Sequence, residues 1–341
     1  MRIGFTYDLR RDYLERGFTE EETAEFDSEE TINFVADTIS ALGHEVIRIG
    51  NIYDLVKRLA AGETWDLVFN ITEGLYGRSR EAQVPALLEA YNIPFTFSDP
   101  LTLALSLDKS ISKKIVREAG LPTPDFCLIK SPHDLEDSRA ECDIPFPLFV
   151  KPLSEGTGKG VTPDSIVYNA IEFKSRCADL LALYSQPVLV EAYLPGREFT
   201  VGILGTGEQA RAVGVLEIIL GGTAEPLVYS YLNKELCEER VEYVLVKDSS
   251  IIQEASELAL SAYLALECRD AARIDLKADA SGGLHFLEAN PLAGIHPTHS
   301  DLPILCSKVG IPYRDLISGI IDSALYRSKN NGRQLTPSQG L

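Results

Sequence analysis

The segment "RIDLKADASGGLHFLEANP", Arg273 to Pro291, sets two carboxylates and an amide where a short hairpin would present them together. Side chains alternate faces along a strand. Arg273, Asp275 and Lys277 therefore share one face, Ile274, Leu276 and Ala278 the other, and Glu288 and Asn290 share a face on the return. A loop over Ala280 to Gly283 pairs Asp279 with Leu284, which puts Asp275 opposite Glu288 and Arg273 opposite Asn290. Like charges directly opposite are destabilising; at about 4 Å and an effective dielectric near ~20 the repulsion is roughly 4 kcal/mol. A cation between them removes it. Asp275, Glu288 and Asn290 then offer three oxygen donors, a set that suits magnesium, which takes its remaining ligands from water and phosphate oxygens. The blander reading is a solvated face on which Arg273 pairs with one acid.

Upstream, "FVKPLSEGTGKGV" is a strand ending in Lys151, then a loop with Gly156, Gly158 and Gly160. Such a loop brings backbone N–H groups close to phosphate oxygens. It is not a P-loop, since G-x-x-x-x-G-K-[ST] is absent, and a flexible turn would carry the same glycines. Lys151, between apolar residues and Pro152, needs a partner if buried, either a phosphate or a structural carboxylate. "VLVEAYLPGREFTVGIL" holds Glu191 at the end of an apolar strand and Glu198 at the start of the next. A carboxylate at a strand end can accept ribose hydroxyls or be a plain turn charge. "LALSLDKS" puts Lys109 at a helix start, where the macrodipole disfavours a cation unless an anion is near.

The elements that hold these residues follow from the apolar pattern. "RIGFTY" is a strand, and "RDYLERGFTEEETAEFD" is a loop or lid. Ser28 caps a helix carrying Ile32, Val35, Ala36, Ile39 and Leu42, ended by Gly43. "EVIRI" and "DLVFNI" are strands around a helix from about Tyr53 to Ala61; "EAQVPALLEAY" is helical and "IPFTFSD" returns to strand. This alternation predicts a doubly wound parallel sheet, an α/β unit, and no G-x-G-x-x-G follows its first strand to mark a dinucleotide site. A helix from about Leu107 to Ala119 follows. In the second half strands dominate without βαβ order, as in an α+β architecture.

Hydrophobic residues are 45% and charged residues 24% of the 341, an ordinary globular composition. The net charge of −19 argues against a nucleic-acid or anionic-membrane surface. Cys127, Cys142, Cys177, Cys237, Cys268 and Cys306 are scattered with no C-x-x-C, which predicts buried reduced thiols in a cytoplasmic protein. "MRIGFTYDLRRDYLERG" reads as a strand followed by charge, not a signal peptide. No apolar run approaches the length of a membrane span, and the tail "SKNNGRQLTPSQGL" is polar and expected to fray.

Taken in order, the pieces resemble the ATP-grasp superfamily and, within it, the D-alanine–D-alanine ligases. The resemblance covers about Asp66 to Ile321 and is carried by "DLVFN", "LDKSISKKIVREAGLPTP", "VKPLSEGTGKGV", "GREFTV" and "ARIDLKAD…FLEANPLAG". It implies a Rossmann-like pre-ATP-grasp domain over 1–103, a central subdomain over 104–190, a catalytic subdomain over 191–328 and a flexible tail over 329–341. It also implies ATP, two Mg²⁺ ions (Mn²⁺ as a substitute), amino-acid or short-peptide substrates and a homodimer. Lys109 and Lys151 would bind ATP phosphates, Glu191 and Leu194 would sit by the adenine, and Glu198 on the ribose. The loop with Glu155, Gly156, Thr157, Gly158 and Gly160 would close over the triphosphate. Asp275, Glu288 and Asn290 would hold the metals, Glu288 bridging them. Arg273 and the N–H of Gly294 would stabilise a tetrahedral oxyanion, with Lys234 in the mobile loop as a further catalytic residue. The implied reaction is carboxylate–amine ligation through an acyl phosphate, releasing ADP and phosphate.

The departures cluster around the amino-acid sites. The family's N-terminal glutamate motif is absent, and Glu29 or Glu30 is the nearest substitute. "TEGLYGRSREAQVP" replaces a histidine-bearing motif and brings Arg78 and Arg80. Lys234 is followed by Glu235 where the family has tyrosine, and "GIHPTHSDLP" is one residue longer around His299 and Ser300. Altered substrates are therefore expected, with Glu29, Arg80, Glu235 and Ser300 as substrate contacts. The alternatives are a peptide or natural-product ligase on the same fold and a degenerate ATP-binding regulator; the latter has no need of an oxyanion donor.

Overall fold

A computed structural model of the protein describes residues 1–136, 142–225 and 227–330; from residue 331 the expected tail lies outside the described residues. Strands β1 (Arg2–Tyr7), β2 (Glu45–Gly50) and β3 (Leu67–Ile71) form a parallel sheet in the order β2-β1-β3. The pairing is parallel because a helix makes each crossover, Glu29–Ala41 and then Ile52–Ala60. Ser28 caps the first of these by accepting the Thr31 N–H at 3.1 Å, and Gly43, at φ +89°, turns the chain out of it. Ile32, Val35 and Ile39 bury its apolar face. "IPFTFSD" is not a full strand. It makes a single bridge, Phe95 to Val68, before Phe97 at φ +69° takes the backbone out of the extended region.

The helix expected over about Leu107 to Ala119 is Lys109–Glu118, and a further helix, Pro100–Leu107, precedes it. Asp108 separates the two and caps the second by accepting the N–H groups of Ser110 and Ile111, both at 3.1 Å. Lys109 thus does stand in a first helical turn.

Strands β4 (Phe126–Ile129), β5 (Leu148–Pro152), β6 (Ile166–Val167) and β7 (Val188–Ala192) form an antiparallel sheet in the order β4-β7-β5-β6. Helix Ala170–Tyr184 covers it, burying Phe173, Cys177 and Leu180 against Val150 and Val190. The domain boundary expected at 190/191 falls inside β7. The thiol expectation needs correcting. Cys127 on β4 and Cys142 are joined as a disulfide, their Cα atoms 5.4 Å apart, while the other four cysteines are free and buried. The return toward β5 brings the two together, which scattered spacing in the sequence does not reveal.

Strands β8 (Glu198–Leu204), β9 (Arg211–Leu220), β10 (Val241–Leu245), β11 (Ala271–Ala278) and β12 (Leu284–Asn290) form the largest sheet, antiparallel in the order β10-β9-β8-β11-β12. Helix Ser249–Ala265 packs across it. The last helix, Tyr313–Asn330, returns to pack on helix Glu29–Ala41, so Leu316, Ile317 and Ile320 share a core with Ile3 and Phe5 near the start of the chain. Both antiparallel sheets present one face to a common cleft, and the site lies there.

Candidate active site

The hairpin has the register its chemistry needs, with Arg273 opposite Asn290 and Asp275 opposite Glu288. It arrives there differently from the sequence reading. Ala278, not Asp279, pairs with Leu284, and an extra residue at Leu287 restores the offset between Phe286 and Glu288. This bulge turns Leu287 and Glu288 into the same cavity wall. Asp275 accepts from Thr200 Oγ1 at 2.8 Å and from Asn290 Nδ2 at 3.2 Å, with Arg273 Nε 3.1 Å away. Glu288 lies 3.4 Å from Lys109 Nζ. Burial raises the Asp275 carboxyl, and Arg273 opposes that only in part. At Glu288 burial is outweighed by Lys109, Lys234 and Lys151, which hold the carboxyl well below the ordinary range. Among the described residues no three His, Cys, Asp or Glu side chains cluster as a metal site. The set here is two carboxylates and an amide, oxygen donors of the kind magnesium accepts.

On one side of the hairpin is a cavity of about 100 Å³ lined by Phe149, Tyr193, Leu194 and Leu287 with Lys109, Lys151, Glu191 and Glu198. Its apolar walls suit a flat ring and its lysines an anion. Glu191 lies in this wall, but its carboxylate is engaged by Lys113 Nζ at 2.6 Å and Lys151 Nζ at 2.8 Å. It fixes the lysine expected on phosphate. Lys113 is fully buried; desolvation lowers it to about 8 even with Glu191 beside it. Glu198 pairs with Lys277 at 2.7 Å.

The glycine loop closes this cavity. Thr157, Gly158 and Gly160 have φ of +50°, +73° and +72°, and a Cβ on Gly158 would meet the Tyr231 nitrogen at 2.8 Å. Lys109 Nζ donates to the Glu155 carbonyl at 2.6 Å, and Lys159 pairs with the Glu155 carboxylate at 2.7 Å. A residue not singled out in the sequence, Glu25, joins them from the acidic stretch. It accepts the Gly156 N–H at 2.6 Å and pairs with Arg80 at 2.9 Å and Lys159 at 3.4 Å. Arg80 also donates to the Ser154 carbonyl at 3.0 Å. Burial would raise the Glu25 carboxyl, but Arg80 and Lys159 hold it at about 2. The acidic stretch, read as loop or lid, begins with a short helix, Arg10–Leu14, and its later part lies against the glycine loop through Glu25. No local sequence signal marks Glu25, whose partners stand 55 and 131 residues away.

On the other side a larger cavity, of about 480 Å³, meets the first at Lys109, Glu155, Tyr229, Lys234 and Glu288. Arg273, Gly294, Ser300 and Glu235 line it. Arg273 is bracketed by Asp275 and by Asp301, 2.7 Å from its Nη1. Gly294 packs closely on Ser300, where a Cβ would stand 2.7 Å from Oγ and force that side chain to shift. Lys234 Nζ sits 4.7 Å from the centre of the Tyr229 ring. Glu235 finds its countercharge in Arg10 at 3.6 Å, rather than in Arg78, which pairs with Asp108, or Arg80. Glu29 is not brought in; it is exposed and pairs with Arg11 at 2.9 Å, whereas Glu30 lines the cavity.

A glycine loop on one antiparallel sheet, closing on an acidic hairpin of another, defines an ATP-grasp protein. A family model described as D-ala D-ala ligase C-terminus matches residues 115–322. The chain is 34% identical over 287 residues to the D-alanine–D-alanine ligase of Aquifex aeolicus, covering 84% of this chain and 92% of that one. It is 33% identical over 316 residues to an uncharacterized protein of Sinorhizobium fredii, covering 87% and 89%. The chain belongs to the D-alanine–D-alanine ligase family. Its fold is that of the Bacillus anthracis D-alanine–D-alanine ligase solved with ATP, with a TM-score of 0.75 at 24% identity over 97% of this chain and 100% of that one. The VanG D-Ala:D-Ser ligase of Enterococcus faecalis follows at 0.72 and 20%, over 95% and 99%.

Proposed function

We propose that the protein is an ATP-dependent ligase that joins two amino acids through an acyl phosphate, releasing ADP and phosphate. One observation carries this reading. Lys109, Lys234 and Glu288 stand at the junction of the two cavities, so groups suited to a triphosphate adjoin the Arg273 and Gly294 pair suited to an oxyanion.

In this reading the adenine lies against Leu194 and Tyr193, Glu198 faces the ribose, and Lys109 and Lys151 hold phosphate oxygens. The 155–160 loop closes over them, aided by Glu25. Asp275, Glu288 and Asn290 would hold magnesium, which supplies charge neutralisation on the phosphates. The carboxylate of the first amino acid attacks the γ-phosphorus, and ADP leaves. The amine of the second attacks the acyl carbon, and the C–O bond to phosphate breaks with its electron pair going to phosphate. Arg273, fixed between Asp275 and Asp301, and the Gly294 N–H meet the oxyanion between these events; such preorganised donors are effective because they need not reorient. Lys234, at the junction, offsets charge on the transferring group.

We further propose an organisation near the sequence-derived one, 1–103, 104–190 and 191–328, with the second boundary moved past β7. A homodimer belongs to the same proposal and is read by light scattering. Among the described residues no helix is long and apolar enough to cross a membrane. A screen of D- and L-amino-acid pairs, scored by ADP release and product mass, tests the function. Amino-acid-dependent ADP with a dipeptide product is expected; ADP release indifferent to any amino acid would overturn it.

A further inference from the structure

The end of the larger cavity nearest the parallel sheet is walled by Asp27, Glu73 and Glu81 beside Glu25. Glu25 is matched by Arg80 and Lys159. Among the described residues, no lysine, arginine or histidine lies within ion-pair distance of Asp27, Glu73 or Glu81. Lys109 shares the wall but is engaged by Glu288 and the Glu155 carbonyl, and Arg10 by Glu20 and Glu235. The other charge facing Asp27 is a further acid, Asp8, which accepts from Tyr13 Oη at 2.5 Å and from the Gly74 N–H at 2.9 Å. Burial raises all three carboxyls, Glu81 to about 7, Asp27 to about 8 and Glu73 well above its ordinary value; neighbouring acids add to it, while Arg80 opposes it at Glu81 and Glu73 and Lys109 at Glu81.

An independent feature points to a ligand at the same place. Ser106 lines this cavity, is 5% exposed, and its Oγ has no hydrogen-bond partner. Its helix, Pro100–Leu107, packs against the short turn Arg80–Ala82 that carries Glu81. A buried hydroxyl without a partner costs free energy, and the three acids avoid the cost of unmatched buried charge only by holding protons. Water completes the hydroxyl but does not let the acids ionise. An ammonium group does both, since it carries positive charge and three N–H donors. A single α-ammonium answers one carboxylate, and the wall presents three.

We propose that the donor amino acid, whose carboxylate is phosphorylated, carries a second amino group on its side chain, received by Glu73, Glu81 and the Ser106 hydroxyl. The wall adjoins Glu25 and the 155–160 loop, which in the ligase reading closes over the phosphates that the donor carboxylate attacks, hence the donor; Arg273 and the Gly294 N–H would meet that same donor's acyl oxygen. This rests on the ligase reading for which substrate is meant, but not for the chemistry of the pocket.

The test separates binding from turnover. The full chain, with magnesium and a non-hydrolysable ATP analogue, is titrated calorimetrically with D- and L-forms of alanine, norleucine, 2,3-diaminopropionate, 2,4-diaminobutyrate, ornithine and lysine. At least one diamino acid is expected to bind on the order of 100-fold more tightly than norleucine, because a site built for a polar group rejects the analogue lacking it. In the double variant Glu73→Gln/Glu81→Gln that ratio should collapse to within a few-fold, and Ser106→Ala should reduce it about 10-fold. Unfolding curves of the variants establish that they fold. Alanine or norleucine binding as tightly as every diamino acid, or a ratio that survives the double variant, overturns the proposal. ADP release measured on the same panel distinguishes the two failures. Turnover with neutral donors and no preference defeats this inference and leaves the ligase reading; a strong diamino preference without ADP release does the reverse.

Discussion

Replacing Glu191 with leucine removes the only carboxylate within ion-pair distance of Lys113 among the described residues. Lys113 would keep two neutral acceptors, Thr123 Oγ1 at 3.2 Å and the Phe286 carbonyl at 3.3 Å, and a like charge in Lys151. Breaking a buried pair from one side costs about 3–5 kcal/mol. The lower end is expected here, since Lys113, already lowered to about 8 by burial, can shed its proton near neutrality once Glu191 is gone. A lysine lowered on folding means that the native state has given up protons the unfolded chain still holds. Stability from this group therefore rises with pH, from about 8 toward 10.5 in the parent and from a lower pH in the variant. Urea unfolding at pH 6 and pH 9 should show a deficit of about 3 kcal/mol or more at pH 6, and a smaller one at pH 9. The double variant Glu191→Leu/Lys113→Met should recover at least about half of it, because no buried charge is left unmatched there. It should still bind the ATP analogue weakly, since Lys151 has lost its anchor. A single variant within ~0.5 kcal/mol of the parent, or a double variant no better than the single, would refute the reasoning.

Other outcomes follow from the same geometry. Glu288→Gln should reduce ATP turnover to background with the unfolding curve retained; parent-like turnover would remove Glu288 from the metal set. Amide exchange over Ser154 to Val161 should slow when a non-hydrolysable ATP analogue and magnesium are added, and exchange that does not change would argue against a phosphate lid. Asp27, raised to about 8, contributes stability at low pH that is lost as pH climbs through that value. Asp27→Asn should therefore raise Tm at pH 8 relative to the parent more than at pH 4, as thermal melts at the two values will read.

Much of the catalytic side was legible because its signals are local. The glycine loop, the Lys109 helix start and the period-two alternation of Arg273, Asp275, Glu288 and Asn290 each lie within a few residues. Even there the strict alternation reaches the right register for an incomplete reason. The longer turn and the bulge at Leu287 cancel, and neither leaves a mark in the alternation. What was hidden depends on distant elements. Glu191 reads as a strand-end acid until Lys113 and Lys151, from a helix and a neighbouring strand, are seen on it. Glu25 reads as one more charge in an acidic stretch until Arg80 and Gly156 converge on it. Glu29, at a helix start, was the more visible candidate, yet its position in the first turn points it outward to Arg11. Cys127 and Cys142 meet only through the path between β4 and β5.

The most direct test of the central claim follows the oxygen atoms. The donor amino acid is supplied with both carboxylate oxygens as ¹⁸O, together with unlabelled ATP, and the released inorganic phosphate and nucleotide are analysed by mass. Attack of the carboxylate on the γ-phosphorus, followed by amine attack on carbon, carries one ¹⁸O into phosphate, with ADP unlabelled. Label found in AMP, or phosphate released without label while dipeptide forms, would contradict an acyl-phosphate route.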